Sequence, residues 1–241
     1  MEVLYASSLL LIGTFFGSLL AVVLKRSPIS VGVSLAFTGG VMLVASFTSL
    51  ILPGIEVGGF LSVALGIMVG FALMALIENL VPHEHAIKGR EGLSQERVSK
   101  LYLIVLAVVI HNLPEGLSVG VSSAYSIEKG LETAIAIALQ DIPEGLVVSL
   151  PLMLLSGKVL MPLWIGFFSG LLETIFALLG YAFFEHFDSL LPFGLGFGGG
   201  AMVYITAKEV FPEAYAEGKH TQATTAFLLG LLLMLLLDTS L

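Results

Sequence analysis

The sequence contains no cysteine. That absence excludes disulfide frameworks, thiolate metal ligands and cysteine nucleophiles, and it leaves the redox compartment open. Charge is scarce as well: 12% of the 241 residues are charged against 57% hydrophobic, and mean hydropathy is +1.02. Such a balance lies far from that of a soluble domain and marks an integral membrane protein. No stretch alternates apolar and polar residues with period two, so helices, which satisfy their own backbone hydrogen bonds in lipid, are the expected spanning element. The first apolar run, Met1 to Leu24, lacks a basic leading segment and a small-residue cleavage site. It reads as a retained first span. A nucleotide-binding loop is missing, which removes direct drive by ATP, and so is the HExxH pattern of zinc hydrolases.

What the chain has in quantity is apolar segments of about 20 residues, the length that crosses a hydrocarbon core of about 30 Å. Eight are expected within a single all-α domain covering 1–241, at about 3–24, 30–52, 58–81, 99–124, 130–154, 160–184, 194–215 and 222–240. Ser27-Pro28, Pro53-Gly54, Ser156-Gly157 and Leu191-Pro192-Phe193-Gly194 supply the breaks. The one sizeable hydrophilic stretch, a loop at 82–98, is too short for a separate domain. Lys25, Arg26, Lys88, Arg90, Arg97, Lys100, Lys158 and Lys219 fall in loops on one side, and Lys129 alone falls on the other. By the positive-inside rule the first side is cytoplasmic and both termini face out.

The net charge of −8 is largely a site signal, because many of the 18 acidic residues lie inside apolar segments. One phrase is written twice. His111-Asn112-Leu113-Pro114-Glu115-Gly116 sits in the fourth span, and Gln140-Asp141-Ile142-Pro143-Glu144-Gly145 follows 29 residues later in the fifth. The two spans run in opposite directions and both phrases fall at the midplane. That is the mark of an inverted repeat, at whose interface transporters place their substrate site. A charge at the centre of a membrane helix costs roughly 2.5–3.5 kcal/mol, so Glu115, Asp141 and Glu144 cost about 8–10 kcal/mol together unless compensated. A bound cation is the first candidate for that compensation. Helical spacing puts His111, Asn112 and Glu115 on one face, and Gln140, Asp141 and Glu144 on another. Pro114 and Pro143 cannot donate to the carbonyls of Ile110 and Leu139 and are expected to kink their helices, while Gly116 and Gly145 permit close approach. Glu173 adds a carboxylate at the same depth in the sixth span. Two carboxylates about 6 Å apart repel by ~2.8 kcal/mol at an effective dielectric near 20, which a divalent ion would relieve. Oxygens with one imidazole suit zinc, iron, manganese or cadmium rather than copper(I).

These motifs, with Ser169-Gly170-Leu171-Leu172-Glu173 in the sixth span, closely resemble the ZIP (Zrt/Irt-like) divalent metal transporters, and the Gln140-Asp141 form is similar to their GufA-like bacterial branch. The resemblance covers the whole chain, including eight spans and both termini outside. It implies one metal site of His111, Glu115, Gln140 and Glu144, and an adjacent one of Asn112, Glu115, Asp141, Glu144 and Glu173, bridged by Glu115 and Glu144. It implies further a homodimer in the cell membrane that carries divalent metal into the cytoplasm by alternating access. Spans one, four, five and six would slide against two, three, seven and eight. The metal is cargo; no prosthetic group, no enzymatic activity and no nucleic-acid partner are expected. Many ZIP proteins have histidine at the place of Gln140, asparagine at that of Asp141 and proline at that of Thr174, so this chain offers less nitrogen to the metal. It also lacks the histidine tract many eukaryotic members carry after span three.

Other polar residues fall along the route such a site would need. Met42 and Ser46, with Ser49 and Pro53, form a stripe on the second span that either lines an entry or packs. Glu78, His83, His85, Glu209 and Glu213 lie toward the cytoplasmic end and are candidates to pass metal onward, with Lys208 beside Glu209 as a neutralising charge. The glycines from Gly194 to Gly200 read as close helix packing. Competing readings are a proton or sodium carrier using the same carboxylates, an intramembrane hydrolase with a metal-bound water, and helices glued by polar side chains.

Overall fold

The computed structural model describes residues 2–24, 30–80, 83–85, 89–91, 100–156 and 158–240, without the side chains of 83–85, 89–91, 100–109, 147, 151 and 154–156. Helix α1 covers Glu2–Leu24, α2 Val31–Ala45, α3 Leu52–Leu80, α4 Lys100–Tyr125, α5 Ile127–Ser156, α6 Leu160–His186, α7 Leu191–Ile205, α8 Phe211–Tyr215 and α9 His220–Ser240. The remaining regular structure among the described residues is a 3-10 turn at Asp188–Leu190, two π turns and an antiparallel pair of three-residue strands, β1 His83–His85 and β2 Gly89–Glu91. The strands fall in the stretch read as a hydrophilic loop. Six helical stretches among the described residues are long and apolar enough to cross a membrane, the longest being Val31–Leu80. The chain is a multi-pass membrane protein.

Pro53, expected to end a span, and Pro212 are both absorbed by a widening of the helix ahead of them. Pro53 has no N–H to give to the carbonyl four residues back, and the turn ahead of it, Ser46–Ile51, opens to π geometry, with Leu52 N–H bonding to Phe47. The carbonyl that Pro53 leaves free, that of Ser49, accepts Ser122 Oγ of α4 at 3.2 Å. Pro212 follows the second π turn, Thr206–Val210, in the same way, and Phe211 N–H bonds to Thr206. The break expected at Pro53-Gly54 therefore lies elsewhere. It falls at Gly59, whose φ of 75° and ψ of 167° interrupt the helix in a region that side-chain-bearing residues rarely adopt. Helix α4 also runs on through Pro114 without a break.

The helices sort into two bundles. In one, α1 packs on α5 and α6, and α4 packs on α6 and α5; in the other, α3 packs on α7 and α2 on α9. The bundles meet along a seam where α2 touches α5 and α4 touches α7. Small residues bring backbones together within each bundle, as at Gly200, whose absent Cβ would stand 2.6 Å from Ile67 Cα. Large apolar side chains such as Phe60, Leu61, Trp164 and Phe168 face outward, as a lipid solvent requires.

Candidate metal site

Helices α4, α5 and α6 bring the two repeated phrases and Glu173 together at the seam. Gly116 makes this possible on α4. A Cβ there would lie 2.4 Å from the carbonyl oxygen of Glu173, so only hydrogen lets α4 rest directly on the α6 backbone beside Glu115. Gly145 does the same for α5, where a Cβ would stand 2.5 Å from the Thr14 carbonyl of α1.

Glu115, Asp141 and Glu144 each point an oxygen to one spot, all three within 4.8 Å of one another. At that separation each ionised pair repels by about 3.5 kcal/mol at an effective dielectric near 20. Glu115 and Asp141 are buried, at 1% and 2% exposure, so solvent cannot screen them. The side chains around them supply too few donors. Gln140 Nε2 donates to Glu115 Oε1 at 2.6 Å. Asn112 Nδ2 donates to Ser169 Oγ at 2.7 Å and also to Glu173 Oε1, whose carboxylate takes Thr14 Oγ1 at 3.3 and 3.4 Å as well. Asp141 adjoins Glu173. Four buried oxygens remain without a hydrogen-bond partner among the described residues: Asn112 Oδ1, Glu115 Oε2, Gln140 Oε1 and Asp141 Oδ2. Buried acceptors are seldom left bare. A set of carboxylate and amide oxygens with one nearby imidazole is the donor set of a borderline-to-hard divalent cation.

His111 stands at the edge of this group. It stands within electrostatic range of Glu144, and its Nε2 lies 3.7 Å from Glu209 Oε2 on the second π turn, across the seam. Of the seven residues expected to hold metal, three thus form the tight carboxylate group, Gln140 and Asn112 are tied to carboxylates by their amide hydrogens, and Glu173 and His111 stand beside it. Glu78 and Glu209 are buried on the other bundle beside each other, with Glu213 buried one turn further on. Glu78 Oε2 accepts Tyr204 OH at 2.5 Å and lies 3.9 Å from Lys208 Nζ. Met42 and Ser46 are fully packed, and Ser46 Oγ spends its hydrogen on the Met42 carbonyl at 2.6 Å. The side chains of His83 and His85 lie outside the described residues.

Three contributors went unread in the sequence. Thr14 holds Glu173, Ser169 holds Asn112, and Thr38 of α2 reaches the Gln140 carbonyl across the seam at 3.4 Å. Thr14 did carry a signal, since Ser7, Thr14 and Ser18 are spaced to share one face of an otherwise apolar span and all three are buried. A void of about 10 Å³ beside Glu144, lined by Thr14, Ser18 and Ser169 among others, has room for one water at most.

Known proteins agree with this chemistry. The family model described as ZIP Zinc transporter matches residues 78–238. Zinc transporter GufA of Myxococcus xanthus is 37% identical over 80% of this chain and 80% of its own length. Zinc transporter ZIPB of Bordetella bronchiseptica is 38% identical over 95% of this chain and 77% of its own length, and zinc transporter ZupT of Chlorobium chlorochromatii is 33% identical over 97% and 96%. With the paired phrases, the carboxylate group they build and these likenesses in agreement, the chain belongs to the ZIP family.

Proposed function

We propose that the protein is a carrier that moves divalent transition-metal ions into the cytoplasm, with zinc as first cargo and iron, manganese and cadmium as further ones. The observation that carries this reading is the convergence of Glu115, Asp141 and Glu144 within 4.8 Å at the seam between two bundles, with bare buried oxygens around them. The names of its relatives support zinc. In the proposed binuclear arrangement His111, Glu115, Gln140 and Glu144 hold one ion; Asn112, Glu115, Asp141, Glu144 and Glu173 hold the other. Gln140 and Asn112 now offer amide hydrogens to carboxylates; an arriving cation takes the place of those hydrogens, and a half-turn of each amide presents its oxygen instead.

The proposed topology has eight spans. The Val31–Leu80 stretch counts as two because Gly59 divides it, and Lys100–Tyr125, at 26 residues, is about 39 Å long and sufficient to cross. The Lys and Arg bias puts both termini outside and 82–98 in the cytoplasm. Transport then needs relative movement at the seam, since Glu115 and Asp141 are closed off from solvent there. The seam is bridged by contacts that such movement would exchange: Thr38 with Gln140, Ser49 with Ser122, and His111 with Glu209. Metal leaving the site passes from His111 to Glu209 and Glu78, with Glu213, His83 and His85 beyond. On the family likeness, the carrier works as a homodimer in the cell membrane.

The test is uptake of radioactive zinc into proteoliposomes holding the purified chain, with sodium and proton gradients varied. Saturable zinc entry is expected. No zinc entry, or entry of sodium that zinc does not inhibit, would overturn the proposal.

A further inference from the structure

The inner route contains a tethered positive charge, Lys208, to which the transport reading gives no step. Glu78 of α3 and Glu209 of the second π turn are 4% and 1% exposed and stand side by side. Two adjacent buried carboxylates, with His111 3.7 Å from Glu209, are a strong trap for a divalent cation. A trap is the wrong device on the leaving side of a carrier, whose turnover depends on letting its ion go. Lys208 belongs to the same π turn as Glu209. Its side chain is 47% exposed and its Nζ stops 3.9 Å from Glu78 Oε2. That distance is beyond an N–H···O hydrogen bond. The Glu78 carboxylate is held in place by Tyr204 OH at 2.5 Å on the same oxygen, so it does not rely on the lysine for its position.

We propose that Lys208 is a tethered cation of the exit route: it stands against the Glu78 and Glu209 carboxylates when no metal is there, gives way when an ion arrives, and returns to drive that ion off into the cytoplasm. Three properties fit the task. Ammonium on a flexible four-carbon stem can swing between the carboxylates and water, as its half-exposed position requires. Its charge is smaller than that of the cargo, so it can be displaced. Its attachment to the chain keeps its local concentration high, so displacement is brief. Removing it would take one positive charge from beside the two carboxylates, which would then hold each ion longer. The proposal rests on the transport reading and adds to it which residue sets release.

The experiment compares the unaltered chain with Lys208→Met and with Lys208→Arg in proteoliposomes at matched protein levels, measuring initial zinc uptake against zinc concentration. In Lys208→Met, half-saturation is expected to fall about tenfold and the maximal rate about tenfold with it, the size of effect one partly screened charge produces. Lys208→Arg keeps the charge on a flexible stem and is expected to hold the maximal rate within about threefold of the unaltered protein. Lys208→Gln, read in the same way, serves should the methionine variant fail to reach the membrane. Unchanged rate and half-saturation in the lysine variant, beside normal uptake by the unaltered chain, would overturn this proposal alone. A rate lost in Lys208→Met with half-saturation unchanged, or lost equally in Lys208→Arg, would make Lys208 a structural brace and overturn it as well. No uptake by the unaltered chain would bring down the transport reading and this proposal together.

Discussion

Replacing Gly116 with alanine probes the site through the backbone, without touching a ligand. The new Cβ would start 2.4 Å from the Glu173 carbonyl oxygen, where real Cβ atoms essentially never come within 3.0 Å, so α4 and α6 must part by at least 0.6 Å at this level. The obstacle is backbone on a packed helix and cannot swing aside as a side-chain tip would. Overpacking of this kind costs about 1–3 kcal/mol of stability. The larger effect falls on geometry, because Glu115 is the neighbour of Gly116 and Glu173 moves with the opposite wall. A misplacement approaching 1 Å in a preorganised site lowers rates by about 100-fold, so zinc uptake by Gly116→Ala is expected to fall between about tenfold and 100-fold. The same helix pair contains its own control. At Gly180 a Cβ would meet the Leu117 carbonyl oxygen at 3.3 Å, which a shift of a few tenths of an ångström accommodates. Gly180→Ala should therefore transport within about twofold of the unaltered chain. Uptake would be measured in proteoliposomes with melting temperature recorded for both variants. Normal transport by Gly116→Ala, or equal losses in both, would refute the argument that this contact sets the ligand spacing.

Further expectations follow from other parts of the molecule. Because the chain has no native cysteine, single cysteines placed near Glu91 and near Ser189 report topology cleanly: only the second should react with an impermeant thiol reagent in intact cells, and labelling near Glu91 would reverse the orientation. Glu115→Ala or Glu144→Ala should nearly abolish zinc uptake while Asn112→Ala costs less, since the two glutamates serve both proposed sites; near-normal uptake by Glu144→Ala would sink the bridging role. Gln140→His supplies a second imidazole and should move competition toward zinc over manganese, and an unchanged ratio at matched protein levels would mean that Gln140 does not touch the metal. Glu217, in the turn before α9, accepts from Ser30 Oγ at 2.5 Å, from Gly32 N–H at 3.0 Å and from Lys219, and these contacts hold its carboxyl below the usual glutamate range despite partial burial. The stabilisation is present above the unfolded value, near pH 4.3, and is lost as pH falls through the lowered folded one. Glu217→Gln should thus lower the melting temperature at pH 7, by a gap that narrows as pH falls below the unfolded value and through the lowered folded one; a gap of constant size across the acid range would point to packing rather than charge.

What could be read from the sequence divides along physical lines. Charged residues in apolar spans are so costly that Glu115, Asp141, Glu144 and Glu173 announce a site wherever they occur, and their convergence follows from helical spacing and opposite span directions. The partners that orient them do not announce themselves. Ser169 and Tyr204 are common residue types in membrane helices, and only the packing of α6 on α4 and of α7 on α3 gives each a carboxylate or amide to hold. Prolines misled in a specific way. Pro53 reads as a helix end because its missing N–H is visible in the sequence, while the remedy, a widened turn with Ser122 reaching over from α4, depends on a residue 69 positions away. Gly59 carries the break instead, and nothing local distinguishes it from Gly58 beside it. Glu209 was legible as a buried acid, but its approach to His111 depends on how the two bundles meet.

The two widened turns also bear on how the chain takes changes of length. A π turn is an α-helix that has taken in one additional residue, so deleting a single residue from 206–210 would let the helix close into ordinary geometry. The segments before and after would keep their mutual orientation, because the widened turn already absorbs the additional residue. What changes is the turn itself, where Lys208 and Glu209 take their places. The same holds for 46–51, where closure would alter the approach of the Ser49 carbonyl to Ser122. In each of these two spans one residue thus acts as a local spacer: its loss is expected to disturb the contacts the turn makes and to leave the packing of the flanking helices in place.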